Sequence, residues 1–315
     1  MIETVLTREL GLKYPIFQGG MAWISEANLA AAVSNAGGLG IISAMNAGAD
    51  YLREQIRKCR TLTDKPFGVN VMLLSPHVLE VAQVCVEEKV AVVTTGAGLP
   101  GPYMKDWIAA GIRVIPVVPS TAIAKRVERM GAFAVIAEGG ESGGHVGDLT
   151  TMALVPQVAD AVNIPVLAAG GIADGRGVAA AFMLGAIGVQ CGTCFLAAEE
   201  CAASDTYKQR IVAAKDIDTL VTGKRLGHPV RSLKTPFSRR YQEKEFDPST
   251  SGEELESMGV GALRKAAVEG DLENGCFLAG QIAAMVHEIR PARAIIETMF
   301  EQAEPLLKGA PQWVR

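Results

Sequence analysis

Aromatic residues are scarce, making up only 5% of the 315 residues. A core of this size must therefore be filled by Val, Ile, Leu, Ala and Met, which suits buried parallel strands covered by helices. Charge is also thin: 20% of residues are charged, against 49% hydrophobic, and the net charge is -4. Nothing in that balance attracts nucleic acid. No uncharged apolar run reaches the length of a membrane span, so no membrane partner is expected. The start, Met1-Ile-Glu-Thr, lacks a basic segment followed by an apolar one, so no signal peptide is expected either. The four histidines do not cluster and no metal motif appears, so no metal is expected at the site. The six cysteines lie at 59, 85, 191, 194, 201 and 276. Cys191-Gly-Thr-Cys194 has redox spacing, yet it closes an apolar strand and has no second pair to form a zinc site. The cysteines read as buried thiols of a cytoplasmic protein.

What is abundant is a repeated unit: a short apolar run, a small-residue loop, then a segment of helical period. The runs begin at Tyr14, Leu39, Phe67, Val90, Ile112, Phe133, Ile164 and Ile187. Helices are expected from Ser25 to Ala36, with Ser25 as N-cap, and from Tyr51 to Leu62. Others should follow Ser75-Pro76, Gly101, Ser120, Thr151 and Asp174. Eight such units indicate an α/β fold, a (β/α)8 TIM barrel. An open doubly wound sheet is the alternative, disfavoured because no dinucleotide fingerprint is present. After Ala197 the rhythm stops. The expected organisation is a barrel over residues 1–198, a smaller, mostly helical insertion over 199–280, and a helical return over 281–315. The last helix is expected within Gln281 to Leu307, broken near Pro291.

Active sites of such barrels sit at the carboxyl ends of the strands. The loop after the sixth strand, Ala137-Glu-Gly-Gly-Glu-Ser-Gly-Gly-His145-Val-Gly147, spends five glycines in nine residues around one histidine. His145 is therefore the candidate for proton chemistry; the bland alternative is a surface turn. After the seventh and eighth strands, amides of Gly170, Gly171, Gly192 and Thr193 could face an anion, with a helix dipole behind them. That is the usual phosphate site of this fold. Gly19, Gly20 and Met21 follow the first strand, Asn70 lies among apolar neighbours in the third, and Glu138 and Gln190 end two others. Asn70 either binds a ligand or bridges two strands, and Glu138 either caps a loop amide or binds a ligand. A phosphate anchor on one side and amides across the mouth fit FMN.

These residues carry a resemblance. Tyr14-Pro-Ile-Phe-Gln-Gly-Gly-Met-Ala-Trp23, Lys65-Pro-Phe-Gly-Val-Asn-Val-Met-Leu-Leu-Ser-Pro76, Thr94-Thr-Gly-Ala-Gly98 and the histidine loop are similar to the bacterial FMN-dependent enoyl-acyl-carrier-protein reductase II family. Ala168 to Gly175, Asp216-Ile-Asp218 and Ala279-Gly-Gln281 extend the match over nearly the whole chain. The wider superfamily includes nitronate monooxygenases, which share the barrel, FMN and an equivalent histidine. Ser142 departs from the pattern, standing beside the histidine where a small apolar residue is expected.

The resemblance implies FMN as cofactor and NADH or NADPH as co-substrate. It implies reduction of trans-2-enoyl thioesters on acyl carrier protein, a homodimer, and stimulation by a monovalent cation for which no ligand set is visible. It adds Gly143, Gly144, Ala169 and Gln281 to the FMN-binding positions and makes His145 the proton donor or enolate stabiliser. His228, in Gly227-His-Pro229, is a weaker second candidate. Lys224, Arg225, Arg231, Lys234, Arg239 and Arg240 occur with no acidic residue between Asp218 and Glu243. This basic window is a candidate docking face for the acidic carrier protein, with the nucleotide's phosphates as a competing target. Two other readings stand beside the reductase. One is a nitronate monooxygenase using oxygen; the other is a flavin or phosphometabolite binder without turnover.

Overall fold

The structure is a computed structural model that describes residues 2–44 and 48–309. Eight parallel strands carry the barrel: β1 (Ile16–Gln18), β2 (Gly40–Ser43), β3 (Phe67–Met72), β4 (Val92–Gly96), β5 (Arg113–Val118), β6 (Val135–Glu138), β8 (Val166–Ala169) and β9 (Gly188–Cys191). Between β6 and β8, β7 (Gly144–His145) stands outside the barrel. The hydrogen-bonded order is β1-β9-β8-β6-β5-β4-β3-β2. The ends meet: Gln18 N donates to Leu39 O at 3.0 Å and Leu39 N to Ile16 O at 2.8 Å. The Gln18 side chain strengthens this seam by accepting from Ile41 N at 3.1 Å. The open sheet is thereby excluded and the (β/α)8 barrel stands.

Alternation explains the two cores. Phe17, Ile41, Val92, Ile115, Ile136 and Leu167 fill the barrel interior. Their strand neighbours Ile16, Ile42, Val93, Val114, Val135 and Val166 join the outer core under the helices. Helix Val5–Leu10 sends Leu6 and Leu10 into the interior cluster. Gly40 is needed where β2 passes helix Ala27–Asn35, because a Cβ there would collide with the Ala30 carbonyl.

Two expectations need correction. Ser25 is not a helix cap: the helix starts after Glu26, with no side-chain cap. The Ser25 hydroxyl instead accepts from Gln18 Nε2 at 2.8 Å and Met21 N at 2.9 Å, bracing the turn after β1. The last helix is not broken at Pro291 but begins after it, at Ala292, with Gln281–Met285 a separate 3-10 turn. The insertion's helices are accompanied by a hairpin of β10 (Thr219–Thr222) and β11 (Val230–Leu233). β11 pairs with β7, placing Val230 opposite His145 and Arg231 opposite Gly144.

Candidate active site

One cavity of about 840 Å³ opens at the carboxyl ends of the barrel strands. Its floor follows from the alternation. One step above the apolar interior, Asn70, Thr94, Glu138 and Gln190 occupy the inward-facing positions of β3, β4, β6 and β9. The registers set Asn70 against Thr94, Glu138 against Ala169, and Ala169 against Gln190. Asn70 does bridge strands, since its Nδ2 donates to Thr94 Oγ1 at 3.0 Å. It also lines the cavity and lies so close to Gly20 that a Cβ there would collide with it. Gln190 is 8% exposed, and its amide has no hydrogen-bond partner among the described residues.

Gly170 and Gly171 both hold positive φ, 89° and 72°, which only glycine adopts readily. The amides of Gly171, Gly192 and Thr193 have no acceptor among the described residues and border the cavity. Unpaired amides converging from two strand ends make an anion cradle. The helix dipole expected behind Gly170-Gly171 is already taken. The Asp174 carboxylate caps helix Gly175–Met183, accepting from Arg176 N at 2.9 Å and Gly177 N at 3.4 Å. The cradle therefore rests on the loop amide of Gly171 and on Gly192 and Thr193 at the start of the short helix Thr193–Leu196.

The roof is the histidine loop. Glu141 is fully engaged there, accepting from Thr151 N at 2.9 Å and Thr151 Oγ1 at 2.9 Å, and so caps helix Thr151–Ala161 from a distance. Arg231 donates to Gly140 O at 2.9 and 3.1 Å. Gly143 lies flat on Ala279-Gly280, where a Cβ would clash. Gly280 N reaches Thr193 Oγ1 at 2.9 Å, tying the roof to the cradle. His145 stands exposed on the wall. Partial loss of hydration pushes its pKa below the ordinary value, and His228 nearby pushes it further down. Its imidazole is therefore neutral at pH 7. Burial pushes the Glu138 carboxyl up to about 7, while the Ser142 hydroxyl pulls the other way.

Gly19, Gly20, Met21, Asn70, Glu138, Gly143, Gly144, His145, Ala169, Gly170, Gly171, Gln190, Gly192 and Thr193 all line this cavity. Gln281 does not: its side chain is exposed and its backbone N donates to Glu141 O at 2.9 Å, so it holds the loop. Sequence reasoning passed over Trp23 and Ala97, which line the cavity with φ of 62° and 56°. Their signal was faint: no residue type announces strain, although strain gathers at ligand sites. His228 proves to be a lining residue close enough to bias His145. Among the described residues, no group of three or more His, Cys, Asp or Glu could hold a metal ion. No helix there is long and apolar enough to cross a membrane.

A barrel with an anion cradle, a floor of amides and a histidine roof suits a flavin-dependent oxidoreductase, the class to which the family match assigns the chain. The match to the nitronate monooxygenase family covers residues 3–302, and the chain belongs to that family. FabK from Thermotoga maritima is similar over its full length, at 51% identity, with 100% of each chain covered and a TM-score of 0.97. A probable nitronate monooxygenase of Staphylococcus saprophyticus is 34% identical over 97% of this chain and 99% of its own. The (3aS,4S,5R,7aS)-5-hydroxy-7a-methyl-1-oxo-octahydro-1H-indene-4-carboxyl-CoA dehydrogenase of Rhodococcus jostii is 42% identical over 74% of this chain and 66% of its own length.

Proposed function

We propose that this protein reduces trans-2-enoyl thioesters, carried on acyl carrier protein, to saturated acyl thioesters, using FMN and NADH or NADPH. The observation that carries this reading is the apolar wall facing the floor. Leu226, Phe237, Tyr241, Leu255 and Leu263 of the insertion line the same cavity as His145. An acyl chain needs such a wall; a small nitroalkane does not. Similarity to FabK, an enoyl-acyl-carrier-protein reductase II, supports it.

The residues fit FMN. Unpaired amides at Gly171, Gly192 and Thr193 suit its phosphate, and Asn70, Glu138 and Gln190 offer polar atoms to its ring. FMN held there would supply the hydride chemistry, passing the nucleotide's hydride on to the β-carbon. Negative charge then develops on the thioester oxygen. His145 donates an N–H hydrogen bond to that oxygen, and a proton passed to the α-carbon from the imidazole, which water on the open side restores, completes the saturated thioester. The apolar wall seats the chain, and Glu141 and Arg231 fix the loop that presents the imidazole.

A neutral histidine is equally a base, and that favours a second reading: nitronate oxidation with oxygen, as in the family's name. One experiment separates them. Enzyme bleached anaerobically by NADH or NADPH is mixed with crotonyl thioester. Return of the yellow colour without oxygen supports the reductase. No return, together with turnover of a nitronate in air, overturns it.

A further inference from the structure

Glu138 and Glu141 lie three residues apart, and the structure treats their carboxyls in opposite ways. Glu141 accepts from two donors, Thr151 N and Thr151 Oγ1, at the start of a helix. Glu138 has no such backbone donor, and the Ser142 hydroxyl beside it only partly offsets its loss of hydration. It ends β6 on the inward face, directly above Ile136 and beside Ala169, which are 0% and 2% exposed. The cavity has one lining guanidinium, Arg264, and that pairs with Glu269. The other polar groups of the floor, Asn70 and Gln190, are neutral amides. The groups facing the carboxyl from other elements bring no positive charge either. Cys191 on β9 is pushed well above the ordinary thiol range by its Cys194 contact and burial, and His145 and His228 stand on the roof side, with His145 held neutral. A carboxylate at 138 would be a half-buried charge on an apolar-backed floor, with no cation on the cavity lining free to compensate it.

We propose that Glu138 is a neutral carboxyl, a hydrogen-bond donor on the cavity floor, and that the flavin binds with this proton in place. Flavin rings carry several acceptor atoms and one ring N–H donor, so a donor among amides suits them better than an anion does. The upward push of the Glu138 carboxyl to about 7 agrees with the geometry. Burial is the cause, and Ser142 only tempers it. The inference rests on the flavin of the proposed function and not on its acyl substrate.

Fluorescence titration of apoprotein with FMN and with riboflavin, between pH 5.5 and 8.5, tests it. Riboflavin removes the phosphate's own titration from the result. Wild-type affinity for riboflavin should weaken as pH rises through about 7, approaching about tenfold per unit above it. Glu138→Gln, which keeps a donor, should bind riboflavin with a flat profile and near the wild-type affinity at low pH. Thermal unfolding of the apoprotein gives a second readout. A carboxyl whose folded value is raised keeps a proton that the unfolded chain loses, so stability falls as pH climbs from about 4.5 to 7. That slope should shrink in Glu138→Gln. Coincident riboflavin profiles for the two proteins would overturn the proposal. So would a folded Glu138→Gln that loses flavin at every pH, since that would assign the ionised carboxylate as an acceptor. Failure of crotonyl thioester to reoxidise the enzyme would sink the reductase reading and leave these titrations decisive.

Discussion

The floor and the roof of the cavity are built by different rules. The floor belongs to the barrel: Thr94, Gln190 and Ala169 are 0%, 8% and 2% exposed, and each sits where strand alternation puts it. The roof belongs to contacts between distant segments. Arg231 reaches Gly140 across 91 positions, and Gly280 reaches Thr193 across 87. Roof residues are also more open, with His145 and His228 exposed and Val260 78% exposed. A fixed floor suits a resident cofactor, while a looser roof suits a substrate that must come and go.

The sharpest way to break this division is to damage the cradle. Gly171→Asp puts a Cβ on a residue with φ of 72° and a negative charge where unpaired amides face the cavity. Like charges at close range cost several kcal/mol, so FMN affinity should fall by about 100-fold or more. The ratio of flavin to protein absorbance measures this directly. Full occupancy would move the phosphate elsewhere.

His145→Ala tests the roof instead. The variant should stay yellow, bleach anaerobically with nucleotide at nearly the wild-type rate, and reoxidise with crotonyl thioester about 10²–10³-fold more slowly. Stopped-flow absorbance resolves the two half-reactions. Equal slowing of both would show that the roof also serves the nucleotide step, and the division would blur.

Much of the floor was legible in the sequence because period-2 alternation is local. Asn70, Glu138 and Gln190 could be picked as polar groups ending apolar runs. The roof was legible only as a glycine-rich loop with a histidine. That Glu141 caps a helix, that Gln281 acts through its backbone, and that β7 joins β11 all depend on pairings 10 or more residues apart. The hairpin itself was hidden because Thr219–Thr222 and Val230–Leu233 are interleaved with charged and turn residues. The basic window shows a related limit. Charge is visible in a sequence, but its engagement is not: Arg225, Arg231 and Arg240 spend their guanidinium groups on backbone carbonyls.

A smaller effect separates the two regions by stability. Gly40→Ala drives a methyl into the Ala30 carbonyl beneath the barrel wall and should cost about 1–3 kcal/mol in denaturant unfolding. Gly259→Ala, in the insertion, meets nothing within 4 Å and should change stability by at most about 0.5 kcal/mol. A reversed ranking would mean that the insertion, and not the barrel, limits stability.

The smallest expected effect concerns the outer face of the insertion. Lys224 and Arg239 are exposed, and their side chains have no partner among the described residues, unlike Arg225, Arg231 and Arg240. If an acidic carrier protein docks there, these two exposed cations are better placed to meet it than the half-buried Lys234. Replacing both by Glu should raise the KM for the carrier-protein substrate by about 3- to 10-fold at low salt. Screening should erase most of that difference near 1 M salt, where the Debye length shrinks to about 3 Å. A short crotonyl thioester of cysteamine reaches the floor without touching this face, so its KM should stay unchanged. Arg240→Ala is the control: it breaks the bond to the Glu273 carbonyl and should lower stability without a salt-dependent KM effect. Equal rises for both substrates would place the two cations at nucleotide binding or folding, and the carrier protein would dock elsewhere.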